Sequence, residues 1–251
     1  MDFNLLGEIV KEATRFGSRS FSLHLFGEPL LYPKWYEAVQ LIKGANRRHT
    51  VILTTNGTLL NQQVNRVISS GLDKVIWTWR PEAQFTQETK EKLKAWGKFQ
   101  VRLIEEITPP EALMEWSDWY PQERKRLHNY GGNIDTSKWA KPGTAGPKDR
   151  WPCYHLWTAP AVAWNGDILL CCNDPFHREV IAHFPETSVA MAWNSDRLAG
   201  IRADHLGGNF RGICAGCDVW KTYPDMFFWW QKRVPAMIEP VPIQWLPGVP
   251  T

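Results

Sequence analysis

Apolar residues at Phe3, Leu6, Ile9, Val10 and Ala13 recur near the helical period and predict a helix over residues 2–16, with Gly17 ending it. Residues 20–26 then alternate like a strand and stop at Gly27-Glu28-Pro29. A helical pattern over 34–43 precedes a strand over 49–55, which Asn56-Gly57 breaks. Thr58 is placed to cap a helix running to about residue 70, Gly71 terminates it, and a further strand covers 73–79. A charged helix over 86–97 and a strand over 98–107 follow. A helix beginning at proline over 109–119 and a short strand over 124–130 close the pattern.

Strand and helix in repeated alternation predict parallel βα units. Ligands in such folds sit at the C-terminal ends of the strands. Gly27-Glu28-Pro29, Asn56-Gly57 and Thr78 all fall there. Gly27 permits close backbone approach, Pro29 stiffens the turn, and Glu28 between them can hold an ammonium group. A surface glutamate in an ordinary loop is an equal alternative on this motif alone.

Residues 131–152 read as a linker, with Gly131-Gly132, Pro142-Gly143 and Gly146-Pro147. All five cysteines follow it: Cys153, the pair Cys171 and Cys172, and Cys214-Ala215-Gly216-Cys217. Trp164-Asn165-Gly166-Asp167 between apolar runs predicts a hairpin with Asn165 and Gly166 as a two-residue turn, which sets Pro160 opposite Cys171. That folding brings Cys171 back toward Cys153, and Cys214 with Cys217 can close a four-thiolate site for zinc or an iron–sulfur cluster. Zinc ribbons commonly pair two Cys-x-x-Cys knuckles, whereas this chain has one. His24, His49, His128, His155, His177, His183 and His205 show no ligand spacing, and Asp167 and Asp174 read as turn and surface residues. Residues 189–205 should be partly helical, and the proline-rich end from 234 an extended tail. The domains expected are thus 1–135, a linker at 136–150, a cysteine module at 151–233 and a tail at 234–251.

Composition adds limits. The 43% hydrophobic and 22% charged content suits a globular chain with a buried core. A formal charge of +3 without a basic stripe argues against nucleic acid as a partner. No run approaches the roughly 20 apolar residues of a membrane span, and residues 1–8 lack a signal-peptide layout. An odd number of cysteines in such a chain reads as reduced and metal-binding, with the cytoplasm as the default location. The 15 tryptophans serve packing for the most part, and a few could wall a pocket.

Three stretches together resemble the radical S-adenosylmethionine enzymes in wording and order. They are Leu23-His24-Leu25-Phe26-Gly27-Glu28-Pro29-Leu30, Leu53-Thr54-Thr55-Asn56-Gly57-Thr58, and Gly71-Leu72-Asp73-Lys74-Val75-Ile76. The spacing of Cys153, Gly166, Cys171, Cys214 and Cys217 resembles the SPASM/Twitch extension of the same superfamily, as do Ala192-Trp193-Asn194-Ser195 and Ile201-Arg202. The resemblance implies an α/β chain: a partial (β/α) barrel of radical SAM type lacking its first strand, then a small hairpin-plus-helix SPASM/Twitch domain. It also implies that Gly27, Glu28 and Pro29 bind the methionyl amino group of S-adenosylmethionine, with Phe26 replacing a more usual glycine. Asn56 would lie beside that cofactor, and Thr78 where a ribose-binding serine is often found. Cys153, Cys171, Cys214 and Cys217 would ligate one auxiliary [4Fe–4S] cluster, with Cys172 spare, since adjacent strand residues point to opposite faces.

The family's Cys-x-x-x-Cys-x-x-Cys, which holds the cluster that cleaves S-adenosylmethionine, is not among these residues. An N-terminally truncated chain is the expected explanation, a degenerate relative the alternative. In intact form the resemblance implies modification of a peptide or small molecule through a 5′-deoxyadenosyl radical, with a flavodoxin or ferredoxin as reductant. A non-catalytic scaffold with a structural four-cysteine site is the competing reading.

Overall fold

A computed structural model of the chain describes residues 1–104, 107–116, 119, 122–125, 127–130, 133, 135 and 150–222. The chain divides into two units, Met1–Leu127 and His128–Thr251.

The first unit opens on α1 (Phe3–Thr14), begun by Asp2, whose Oδ1 accepts from the N–H groups of Asn4 and Leu5. It is followed by β1 (Ser20–Ser22), α2 (Trp35–Ala45), β2 (Thr50–Thr55), α3 (Leu60–Ser69) and β3 (Lys74–Thr78). Then come α4 (Gln87–Trp96), β4 (Phe99–Ile104), α5 (Pro110–Glu115) and β5 (Gln122–Lys125). The strands form one parallel sheet in the order β1-β2-β3-β4-β5. This is the α/β alternation expected, as an open sheet.

Burial alternates along β2 and β4, so each strand has a packed face and an opposite, half-open one. Val51, Leu53, Val75, Trp77, Phe99, Val101 and Leu103 of the packed face join Val39, Ile42, Leu60, Val67 and Leu93 from the helices in one core. Each such side chain contributes about 1.5–3 kcal/mol when fully buried. Ile52, Thr54, Ile76, Thr78 and Arg102 belong to the other face, with Thr54 paired to Ile76 and Thr78 to Arg102.

Several expected boundaries differ. β1 is three residues rather than 20–26, because after one further bond from Leu23 N to Ile52 O the chain leaves the sheet toward Gly27. Thr58 does not cap α3: both its N–H and hydroxyl turn to Asn56 Oδ1, and Leu59 occupies the cap position with no side-chain bond. β5 lies two residues earlier at its start than the strand expected over 124–130. Thr86 and Gly97 do bound α4, Thr86 accepting from Thr89 N and Gly97 taking the left-handed conformation.

The second unit holds α6 (His155–Thr158) and an antiparallel sheet of β6 (Ala161–Val162), β7 (Asp167–Leu169) and β8 (Val180–His183) in that order. α7 (Val189–Trp193), α8 (Asp196–Leu206) and 3-10 turns at Gly212–Cys214 and Val219–Thr222 complete it. The hairpin register corrects the expected two-residue turn: Ala161 pairs with Leu169 and Val162 with Ile168. Ala163 N bonds Asp167 O, so Trp164, Asn165 and Gly166 form a three-residue loop, with Gly166 at φ 97° as a bulge residue. Pro160 is thereby one residue out of line with Cys171. The linker at 136–149 and the tail from 234 lie outside the described residues. Among the described residues no helix is long and apolar enough to cross a membrane.

Candidate cofactor sites

At the C-terminal end of the parallel sheet, Gly27 at φ 134° admits a loop that a side chain would strain. Glu28 then begins the 3-10 turn Pro29–Leu31, its Oε1 accepting from Leu30 N at 3.2 Å. The same oxygen accepts from Thr55 Oγ1 at 2.7 Å, and Oε2 accepts from Asn56 N at 2.7 Å. One carboxylate thus joins its own turn to the end of β2. An ionised carboxylate has about four acceptor positions, so three donors leave room for one more, such as an ammonium group. Gly27, Glu28, Pro29 and Asn56 are thereby brought together at this sheet end.

Asn56 O accepts from Trp77 Nε1 at 3.0 Å, and Gly57, at φ 86°, lies so near that a Cβ there would come 2.5 Å from Trp77 Nε1. The Asn-Gly word is therefore a fitted contact with β3. Thr78 ends β3, and continuing the Thr55–Trp77 pairing sets it level with Asn56. Thr55, which ties Glu28 to the sheet, was missed by sequence reasoning, as was Thr54. Thr54 Oγ1 is buried without a hydrogen-bond partner among the described residues.

In the second unit Cys153, Cys171, Cys214 and Cys217 line a single cavity, walled also by Arg150, Leu156, Ile213 and Trp220. Cys153 immediately precedes the turn into α6, Cys171 follows β7, Cys214 ends its 3-10 turn, and Cys217 N bonds Cys214 O. Cys172 stands aside from the cavity, its Sγ 3.8 Å from His155 Nδ1. Among the described residues no three His, Cys, Asp or Glu side chains draw together as a single-ion site.

Burial raises the thiols of Cys153 and Cys217 above the ordinary range and pushes Cys214 up to about 12. Cys171 is brought down to about 7, chiefly because the Cys172 thiol donates to it, with Asn173 N adding a bond at 3.3 Å. Cys172 is correspondingly raised, its proton held by Cys171. The raised thiols of Cys153, Cys214 and Cys217 keep their protons until a cationic metal replaces them, and Cys171 yields its proton more readily, so the donor set fits a thiolate-ligated centre.

Two supports escaped the sequence reading. Asn129 donates from Nδ2 to Gly216 O at 2.7 Å and exchanges bonds with Asp218, bracing the Cys214–Cys217 knuckle. Arg150 donates to the carbonyls of Cys214 and Ala215 from the other side. The partners of both lie far off in sequence.

Residues 153–218 match SPASM, an iron–sulfur cluster-binding domain. The second unit carries a SPASM domain. All four cavity cysteines fall inside it. By sequence, the chain is 45% identical over 49 residues to a GTP 3′,8-cyclase of Chlorobaculum tepidum, covering 20% of this chain and 15% of that one. It is 27% identical over 77 residues to an uncharacterized protein of Treponema pallidum, covering 31% and 21%. The chain thus matches only a minor part of these relatives. By structure it is similar to BtrN in complex with AdoMet and 2-DOIA, at TM-score 0.64 and 20% identity over 87% of this chain and 80% of that one. It is also similar to anSMEcpe with AdoMet and Kp18Cys peptide, at TM-score 0.53 and 12% identity over 95% and 90%. The fold ahead of the SPASM domain is the radical S-adenosylmethionine one.

Proposed function

We propose that this chain holds S-adenosylmethionine at the sheet end formed by Gly27, Glu28, Pro29, Asn56 and Thr78, and an auxiliary [4Fe–4S] cluster on Cys153, Cys171, Cys214 and Cys217. In intact form it serves an enzyme that modifies a peptide or small molecule. The observation that carries this is the four cysteines lining one cavity within the residues that match SPASM. Four cysteines around one cavity suit a cluster, in which each iron takes one thiolate. Zinc would draw all four sulfurs onto one centre at about 2.3 Å.

Glu28 would receive the methionyl ammonium on its remaining acceptor position, and Thr54 Oγ1 on the same sheet end awaits a partner. S-adenosylmethionine supplies, on reductive cleavage, the radical that takes hydrogen from substrate, and the auxiliary cluster supplies one-electron transfer. The cysteines that would hold the cleaving iron are not among these residues. AdoMet-bound neighbours carrying 2-DOIA in one case and a peptide in another support either substrate class. Free cysteines suit a reducing cytoplasm with a flavodoxin or ferredoxin as reductant.

Anaerobic reconstitution tests the reading. About four irons per chain and a broad visible absorption are expected, both lost in Cys214→Ala. Stoichiometric zinc with no iron uptake would overturn it.

A further inference from the structure

We infer that the guanidinium of Arg150 is the counter-charge of the cysteine site and sets the reduction potential of the cluster held there. The inference rests on the cluster reading above. Arg150 is the only Lys or Arg among the residues lining the cavity, and its neighbours there are four thiols, the His155 imidazole and apolar walls. Its position is fixed on three sides. Nη1 donates to Ala215 O, Nη2 donates to Cys214 O, and Cζ stands 3.9 Å from the centre of the Phe210 ring. The remaining donor, Nε, is buried with no hydrogen-bond partner among the described residues.

A buried N–H without an acceptor is costly. The side-chain acceptors lining the cavity are the four cysteine sulfurs and the His155 imidazole, of which only the sulfurs become negatively charged when metal binds. A planar, permanently charged fork can brace the knuckle with two N–H groups and still present the third to a thiolate or sulfide. Nearby acids act the other way. Asp174 is fully buried two residues after the pair Cys171-Cys172, and Asp218 follows Cys217 directly. Each electron added to a thiolate-ligated cluster makes the site more negative, so a fixed cation beside it favours the reduced state. Arg150 touches the cluster's ligand loop rather than a reacting substrate atom, which makes it a positioning and tuning residue.

The test is an EPR-monitored redox titration of the reconstituted full chain with Arg150→Gln and Arg150→Lys. With iron loading equal to the parent, Arg150→Gln should destabilise the reduced cluster about ten-fold, a midpoint about 59 mV lower. Arg150→Lys should restore most of the shift. An Arg150→Gln protein with full iron and the parent midpoint overturns the inference while leaving the cluster reading intact. If Arg150→Gln fails to hold iron, Arg150→Lys decides. A loaded protein near the parent midpoint supports the charge, whereas lost iron or a lowered midpoint makes Arg150 only a brace and overturns it. A parent chain that takes up no iron overturns the cluster reading itself, and this inference with it.

Discussion

Asn129 and Asp218 exchange two hydrogen bonds across most of the second unit's sequence, Asn129 N donating to Asp218 Oδ1 at 2.7 Å and Asp218 N to Asn129 Oδ1 at 3.1 Å. The side-chain amide of Asn129 also reaches Gly216 O, between the two last cysteines. Asn129→Ala should remove the two side-chain bonds, to Gly216 O and from Asp218 N, and lower stability by about 1–3 kcal/mol, while the backbone bond from residue 129 to Asp218 remains possible. Faster loss of iron to a chelator, with the first unit's melting unchanged, would bear this out; unaltered iron retention would refute the bracing role.

Gly57 and Gly17 separate strain from crowding. Both have φ near the same left-handed value, 86° and 87°, but only Gly57 has a side chain in its way, Trp77. Gly17→Ala should therefore cost about 1 kcal/mol. Gly57→Ala should cost at least about 2 kcal/mol, since the indole in the core must move. Equal denaturation midpoints for the two variants would show that the Trp77 contact is not what requires glycine.

Thr54→Val tests the half-open face of the sheet. A buried hydroxyl with no partner costs more than a methyl in its place, so ligand-free stability should hold or rise by up to about 1 kcal/mol. A binding assay should show weakened S-adenosylmethionine affinity in this variant and, more strongly, in Glu28→Gln. Unchanged affinity in both would remove this sheet end from consideration.

Acid should act at His49 and at Asp167 in different windows. His49 is buried, its Nδ1 accepting from Arg19 N, while Nε2–H meets Thr14 Oγ1, whose own proton goes to Val10 O. Burial lowers its proton affinity, so the unfolded chain binds the proton first, and stability falls as pH drops below the ordinary histidine value of about 6.5. His49→Gln should flatten that slope in urea titrations of the first unit. Asp167, held down to about 2 by Asn165 and by His177 and His183, stabilises the hairpin above the usual aspartate range, and this is lost as pH falls from about 4 toward 2. Asp167→Asn should remove that second acid-sensitive step.

The sequence by itself determined the alternation of strands and helices, the cap and stop of α4, and the four cysteines of the cavity. These rest on local period, turn chemistry and spacing, which neighbouring residues specify among themselves. Only the tertiary structure decided what each special residue touches. Asn56 competes successfully for Thr58 and so cancels its cap, Gly57 is required by an indole from the next strand, and a one-residue bulge moves Cys171 out of line with Pro160. Glu28 finds Thr55, and Arg150 and Asn129 find the knuckle, across 27, 64 and 87 residues respectively. Contacts at that separation leave no periodic trace, because they are fixed by how whole elements pack and not by the order of residues within one.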